Sequence, residues 1–132
     1  PILGDVTANR TGHRHNNALL HALLADPAAR DLAALQASEI LGLHAVDLMT
    51  AAAVKLGLYE GGDDTRDLAD ARILIHVLAG FVDAAAPELG HHHTGPLRDG
   101  LKTLQLAFRE YSDIPDAPGA GPGERWTGPV FS

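Results

Sequence analysis

The chain has 132 residues, of which 45% are hydrophobic, 5% aromatic and 20% charged, and its formal net charge is −7. This length fits one domain with a hydrophobic core of its own, and the low aromatic content means that the core is aliphatic. The absence of cysteine excludes disulfides, cysteine-ligated zinc and a thiol nucleophile. The acidic balance disfavours direct binding to nucleic acid or to anionic lipid.

The N-terminal residues 1–15 show no helical or strand pattern and are predicted to be irregular. The stretch PILGDVTANR lacks the apolar run of a signal peptide. The most hydrophobic stretch, ILIHVLAGFV, is about half of the ~20 residues that span a bilayer. We therefore expect a cytoplasmic protein without a membrane span.

A helical domain is predicted over residues 16–112, starting with a short helix over 18–25 that Asn16 and Asn17 could cap. The pair Asp26-Pro27 is typical of a helix start, and the pattern predicts a long helix from there to Leu56.

Gly57 is the predicted stop of this long helix, and its length favours a break near Gly42. Apolar side chains cover most of the circumference of the helix, which indicates burial on several sides and a place at the centre of the fold.

The turn YEGGDD leads into a helix over residues 65–86, with Asp64 or Thr65 as its cap and Pro87 as its end. The spacing of three and four predicts that one face of it is a core seam, formed by Leu68, Ala71, Ile75, Leu78, Val82 and Ala85. A second apolar strip indicates that this helix is also largely enclosed, and it contains Leu74, Val77 and Phe81.

The link PELGHHHTG precedes a last amphipathic helix from Pro96 to about Ser112. Its predicted inner face consists of Leu97, Leu101, Leu104, Phe108 and Tyr111. Its predicted solvated face consists of Arg98, Asp99, Lys102, Gln105, Arg109 and Glu110. Together, these elements predict an all-α fold, a small bundle of three to four helices.

The tail, residues 113–132, is rich in proline and glycine and is predicted to be extended, forming neither a helix nor a central strand. It nevertheless carries the single tryptophan of the chain, Trp126. We therefore interpret four tail residues as interaction candidates: Arg125, Trp126, Pro129 and Phe131. The tail could fold back over the helices, dock on a partner as an extended peptide, or be disordered, and its aromatic content makes disorder the least attractive.

Four stretches of the chain carry a resemblance to a known family: ASEILGLHAVDLMTAAAVKLGL, DLADARILIHVLAGFVDAAAPELG, PLRDGLKTLQLAFREYSD and GPGERWTGPV. In order and spacing they resemble the actinobacterial form of the family called domain of unknown function 1844 (DUF1844). The resemblance covers roughly residues 37 to 130 and implies a small, soluble, α-helical cytoplasmic protein with no assigned activity. It also suggests, by gene neighbourhood, an association with the translation machinery.

The candidate residues for a metal site or an acid–base site are mainly histidines. The triplet His91, His92 and His93 is a weak metal candidate, because adjacent side chains point apart and do not converge on one ion. His44 and Asp47 on one helix and His76 on the next could form a metal or acid–base site, although a hydrogen-bonded pair on a helix face is the stronger explanation of the first two.

These observations favour a non-enzymatic helical interaction protein without a cofactor, which docks on a larger assembly or self-associates. The alternatives are an accessory factor of the ribosome or translation machinery, and a metal-binding protein or enzyme that uses the histidine candidates.

Overall fold

The structure is a computed structural model that describes residues 18–22, 25 and 28–131, without the side chains of residues 28–30. The described secondary structure is helical and contains no strand, which confirms the all-α prediction. Helix α1 is Ala28–Ala33, α2 is Ala37–Leu56, α3 is Leu68–Tyr111 and the short α4 is Glu124–Thr127. A 3-10 turn, Gly62–Asp64, lies between α2 and α3.

The chain divides into two compact units, residues 1–36 and residues 37–132. The first contains α1 and a helical stretch over residues 18–22. The predicted caps Asn16 and Asn17 and the predicted start at Asp26 and Pro27 lie outside the described residues. The second unit contains the other helices and the tail.

The single long helix predicted from Pro27 to Leu56 is wrong, because α1 ends at Ala33 and α2 starts at Ala37. The last turn of α1 closes with two tight backbone bonds, from the Ala34 and Leu35 amides to carbonyls three residues earlier. Neither glycine nor proline marks this position, so no local pattern predicts the break. Gly42, the expected breakpoint, is helical.

Helix α2 is not the enclosed central element that its composition predicted. Its fully buried side chains are Ala45, Ala52 and Leu56, whereas Leu43 and Val46 are more than half exposed. The buried face consists largely of small side chains, which lets α2 lie close to α3. Apolar residues on its other face remain uncovered in the described part of the chain.

The connection after α2 caps the end of that helix. Gly57 has a positive φ of 77°, as expected of a helix stop. The last carbonyls of α2 would otherwise lack partners. They accept hydrogen bonds from the Thr65 hydroxyl, the Asp67 amide and the Arg66 guanidinium, at 2.8, 2.7 and 2.9 Å.

Helix α3 is capped by Asp67, whose carboxylate accepts a hydrogen bond from the Asp70 amide at 3.0 Å. The predicted caps Asp64 and Thr65 instead lie in and just after the 3-10 turn. Asp70 also pairs with Lys55 of α2 at 2.9 Å, and the hydrogen bond and charge of Asp70 raise the pKa of the Lys55 ammonium. These contacts join the end of α2 to the start of α3.

Helix α3 is interrupted at Gly90, whose backbone has φ 76° and ψ 170°. We call residues 68–89 the first arm and residues 91–111 the second arm. The Arg72 guanidinium of the first arm lies 4.9 Å from the Phe108 ring of the second. Because both residues are 18 positions from Gly90, the arms run antiparallel, as a helical hairpin.

The predicted link between Pro87 and Pro96 contains the break at Gly90, but its predicted length is wrong, since both prolines and the histidine triplet between them are helical. A proline inside a helix removes one backbone hydrogen bond and crowds the preceding turn. Continuing the first arm past Pro87 buries Leu89, and starting the second arm at His91 buries Thr94, whose hydroxyl donates to the Gly90 carbonyl at 2.6 Å. Core contacts therefore outweigh the local preference of proline.

The core lies between α2 and the two arms. The predicted seam of the first arm is confirmed, with Leu68 partly buried and the other members buried. The predicted inner face of the second arm is also confirmed, with Tyr111 at its edge. The second strip is not enclosed as predicted, because Val77 is exposed. Met49 of α2 lies against Gly100 of the second arm.

By length and composition alone, α2 and α3 would each be long and apolar enough to cross a membrane. Core helices of soluble proteins pass the same test, so this property does not separate the two settings.

The Gly90 break can be tested by adding one methyl group. Its φ and ψ lie in a region that is essentially restricted to glycine, while a Cβ there would meet no atom within 4 Å. We expect Gly90→Ala to lower the free energy of unfolding by about 1–3 kcal/mol through backbone strain alone. Urea denaturation followed by circular dichroism measures the change.

Gly95→Ala is the matched control, because Gly95 lies in the same helix, has no positive φ and also leaves its Cβ free of contacts. It should raise stability by about 0.5–1 kcal/mol. Equal effects of the two substitutions would contradict the assigned role of Gly90.

Candidate functional site

The tail folds back into the groove between the two arms of α3. Its residues 121–124 and Val130 are buried. Gly123 makes the closest approach, since a Cβ there would lie 2.7 Å from the Ala79 Cβ and 3.4 Å from the Ile75 carbonyl oxygen. Its φ of 77° and its lack of a side chain are both needed at this position.

Two buried polar side chains hold the tail in this groove. Gln105 of the second arm donates through Nε2 to the Pro122 carbonyl and to the Thr127 hydroxyl, both at 3.1 Å. The Glu124 carboxylate, 3% exposed, accepts hydrogen bonds from the Gly119 and Val130 amides, both at 3.2 Å. Glu124 thereby closes the tail into a loop.

An ion pair and a hydrogen bond hold Asp116, near the start of the tail, against the two arms. The Arg72 guanidinium binds both carboxylate oxygens of Asp116, at 2.8 and 3.1 Å, and Arg109 donates to the Asp116 carbonyl at 3.1 Å. One residue of the tail thus bridges the two arms.

Trp126 lies flat against the first arm at Gly80, where an added Cβ would come within 3.1–3.3 Å of three atoms of the indole. The His76 ring is 6.2 Å away, and the Arg125 guanidinium lies 5.2 Å from the centre of the indole. Trp126 remains 40% exposed. It therefore both covers the helices and presents an aromatic surface.

The tail is not simply extended, as was predicted, because residues 124–127 form one helical turn, α4. Gly123 before the turn and Gly128 after it adopt positive φ values, so glycine shapes both ends. Pro129 and Phe131 are exposed beyond it. The role of the four candidates in contacting a partner stays a prediction.

Two of the cavities beside the tail together contain all four candidates. The first, of about 510 Å³, lies between the arms and is bordered by three of the candidates, Trp126, Pro129 and Phe131. The second, of about 390 Å³, contains the fourth, Arg125, beside Ile73 and Val77 of the first arm. The structure thus distributes the candidates over two adjoining concave surfaces.

The histidine candidates do not converge. His44 and Asp47 are exposed on α2, His76 is exposed beside Trp126, and the triplet forms the exposed first turn of the second arm. The His92 and His93 rings meet edge to face at 5.8 Å. Among the described residues, no group of three or more His, Asp or Glu side chains is placed to hold a metal ion.

Sequence reasoning missed Gln105 and Glu124. Gln105 was expected on the solvated face, but it is 2% exposed because the tail covers it. No periodicity could show this, since the covering segment lies 17 residues away along the chain. The other members expected on that face are exposed, apart from the partly buried Arg109.

The fold and this site define a small all-α protein. Helix α2 packs against the helical hairpin of α3, and the tail folds back across the hairpin. A family model described as a domain of unknown function (DUF1844) matches residues 42–110, about half of the chain, and the chain belongs to that family. No curated protein and no solved structure matches it.

Removal of the Trp126 side chain should destabilise the isolated protein. The indole is more than half buried against Gly80, so we expect Trp126→Ala to cost about 2 kcal/mol in urea denaturation followed by circular dichroism. Phe131→Ala is the matched control, because Phe131 is 63% exposed, and its effect should stay within about 0.5 kcal/mol. A neutral Trp126→Ala would argue against the packing described.

The Glu124 loop closure can be probed locally. Glu124→Ala leaves the Gly119 and Val130 amides without their acceptor, and we expect faster hydrogen exchange at both and a stability loss of about 1–3 kcal/mol. Glu110→Ala removes an exposed carboxylate and should leave both exchange rates unchanged. Unchanged protection in Glu124→Ala would refute the closure.

Proposed function

We propose that this DUF1844 protein is a non-enzymatic interaction protein that docks on a larger assembly or associates with itself. The observation that carries this proposal is an apolar stripe formed by Ile73, Val77 and Trp126. Ile73 is 61% and Val77 53% exposed, and their spacing of four places them on one helix face.

The parts of the stripe on the first arm and on the tail meet at His76 of the first arm. Ile73, His76 and Val77 line one cavity with the tail, and His76 adjoins the Trp126 ring. Single exposed apolar residues are ordinary on protein surfaces, but adjoining ones together with tryptophan are typical of contact sites. The exposed Leu43 and Val46 of α2 supply a second apolar surface.

The chemistry of these surfaces favours a protein partner. A net charge of −7 opposes binding to phosphate backbones. Asp47 in the middle of α2 and Asp83 in the first arm are exposed carboxylates, which would be costly in a lipid interior. We accordingly propose that the protein is cytoplasmic and lies outside the membrane.

The absence of enzymatic activity and of a cofactor belongs to the same proposal. His44 and Asp47 are exposed on α2, while His76 lies beside Trp126 of the tail, so these candidates offer a surface rather than an enclosed reaction site. The association with translation suggested by the family resemblance stays a prediction.

Light scattering coupled to size-exclusion chromatography, together with crosslinking and pull-down from the native cytoplasm, tests the proposal. We expect either a dimer or larger species of the pure protein at micromolar concentration, or a reproducible protein partner. The double substitution Ile73→Glu with Val77→Glu should abolish whichever association occurs, because it places two charges in the apolar contact.

Ile114→Glu is the matched control, since Ile114 is 89% exposed and lies outside the stripe. It should leave the association intact, and circular dichroism should show equal helix content in all variants. A monomer whose captured proteins are the same with and without the two glutamates would exclude the stripe as an interaction surface.

A further inference from the structure

The cavity of about 510 Å³ occupies the part of the inter-arm groove that the tail leaves open. The tail fills the groove beside Ile75 and Ala79, where Gly123 lies. The open part continues toward Gly90, with Val82 and Asp83 on the first arm and residues 98, 101 and 102 on the second. Trp126 and Phe131 border its tail side.

The apolar lining of this cavity has a buried and an exposed part. Val82 and Leu101 lie at the bottom, belong to the hydrophobic core and are each 2% exposed, whereas Trp126 and Phe131 present accessible apolar surface. A volume of about 510 Å³ falls in the range of small-molecule sites, which combine an apolar lining with a few polar groups.

The charged groups of the cavity are two cations, Arg98 and Lys102, and one carboxylate, Asp83, and its neutral polar groups are Gln105 and Thr127. Of the seven basic residues whose side chains are described, Lys55, Arg66 and Arg72 pair with carboxylates, Arg109 binds a carbonyl and Arg125 lies on the Trp126 ring. The remaining two, Arg98 and Lys102, have no such partner among the described residues, and both line this cavity.

Arg98 and Lys102 are four positions apart, so they project from the same face of the second arm. Asp83 lies on the opposite wall. In a chain with 17 acidic and 10 basic residues, two unpaired cations over an apolar floor indicate an anionic ligand group. The Asp83 carboxylate would repel a second negative charge on that ligand, so the cavity favours a ligand with a single negative charge.

We propose that this cavity binds an amphipathic monocarboxylic acid. Its hydrocarbon part lies against the Trp126 and Phe131 rings above Val82 and Leu101, and its carboxylate lies between Arg98 and Lys102. This site shares Trp126 with the apolar stripe, but Ile73 and Val77 do not line it, so substitutions at those two residues test the proposed association without altering this site.

The test uses octanoate as the probe and the single tryptophan of the protein as the reporter. Titrations of the full chain with octanoate, octan-1-ol and octylamine compare one hydrocarbon tail with three head groups. We expect saturable changes in Trp126 fluorescence with octanoate, affinity several-fold weaker for the alcohol, and no saturation with the amine. NMR shifts of the Arg98 and Lys102 amides locate the binding.

Charge variants then identify the walls of the site. Neutralising both cations, Arg98→Gln with Lys102→Gln, should weaken octanoate binding about three- to tenfold and leave octan-1-ol unchanged, as expected for exposed charge pairs. Asp83→Asn should tighten octanoate binding. Asp99→Asn is the matched control, because Asp99 is also exposed but does not line the cavity, and it should have a smaller effect.

Circular dichroism and thermal unfolding must show that each variant retains the fold. Equal affinity for octanoate and octan-1-ol, or no saturable binding of octanoate, would overturn the proposal. So would a peptide bearing leucine and aspartate side chains that binds the same residues much more tightly than octanoate, since the cavity would then be a protein-docking site.

Discussion

The backbone conformation at Gly90 is the constraint on which the second compact unit depends. One residue with φ 76° and ψ 170° turns a 44-residue helix into two antiparallel arms. The apolar residues on either side of the break can then face each other and α2. Without this reversal, Leu97, Leu101 and Leu104 would have no counterpart in the first arm, and there would be no groove for the tail.

The arms are contacted by different elements on different faces. Met49 of α2 reaches the second arm at Gly100, while the tail reaches it at Gln105, roughly 140° further round the helix at 100° per residue. A glycine allows the close approach of each element: Gly100 of the second arm lies under Met49, and Gly80 of the first arm lies under Trp126. The scarce aromatic side chain thus covers an aliphatic hairpin from outside.

Hydrogen bonds hold the tail in register. Gln105 and Glu124 are buried and bonded to backbone and hydroxyl partners, and Asp116 is bonded to both arms. Buried polar groups are costly when unpaired, so these bonds restrict the tail to one position. The position of the tail creates the two concave surfaces beside Trp126. The proposed protein contact and the proposed ligand site both depend on these surfaces.

Much of the helical architecture could be predicted from the sequence, because spacings of three and four directly reveal a helix face. The seam from Leu68 to Ala85, the inner face of the second arm and the stop at Gly57 follow from such local patterns, and so does the all-α class. The resemblance of four stretches likewise identified the DUF1844 family. The same local logic singled out Trp126 as a residue that needs a surface to cover.

Only the tertiary structure decided where helices break, which apolar faces stay open and what the tail covers. Pro87 and Pro96 stay helical because burial of Leu89 and Thr94 outweighs the local preference of proline, and the reversal falls on Gly90 instead. Gln105 changes from a surface residue to a buried clamp because a segment distant along the chain packs over it. Periodicity reports the environment of one helix, whereas these outcomes depend on contacts between segments far apart in sequence.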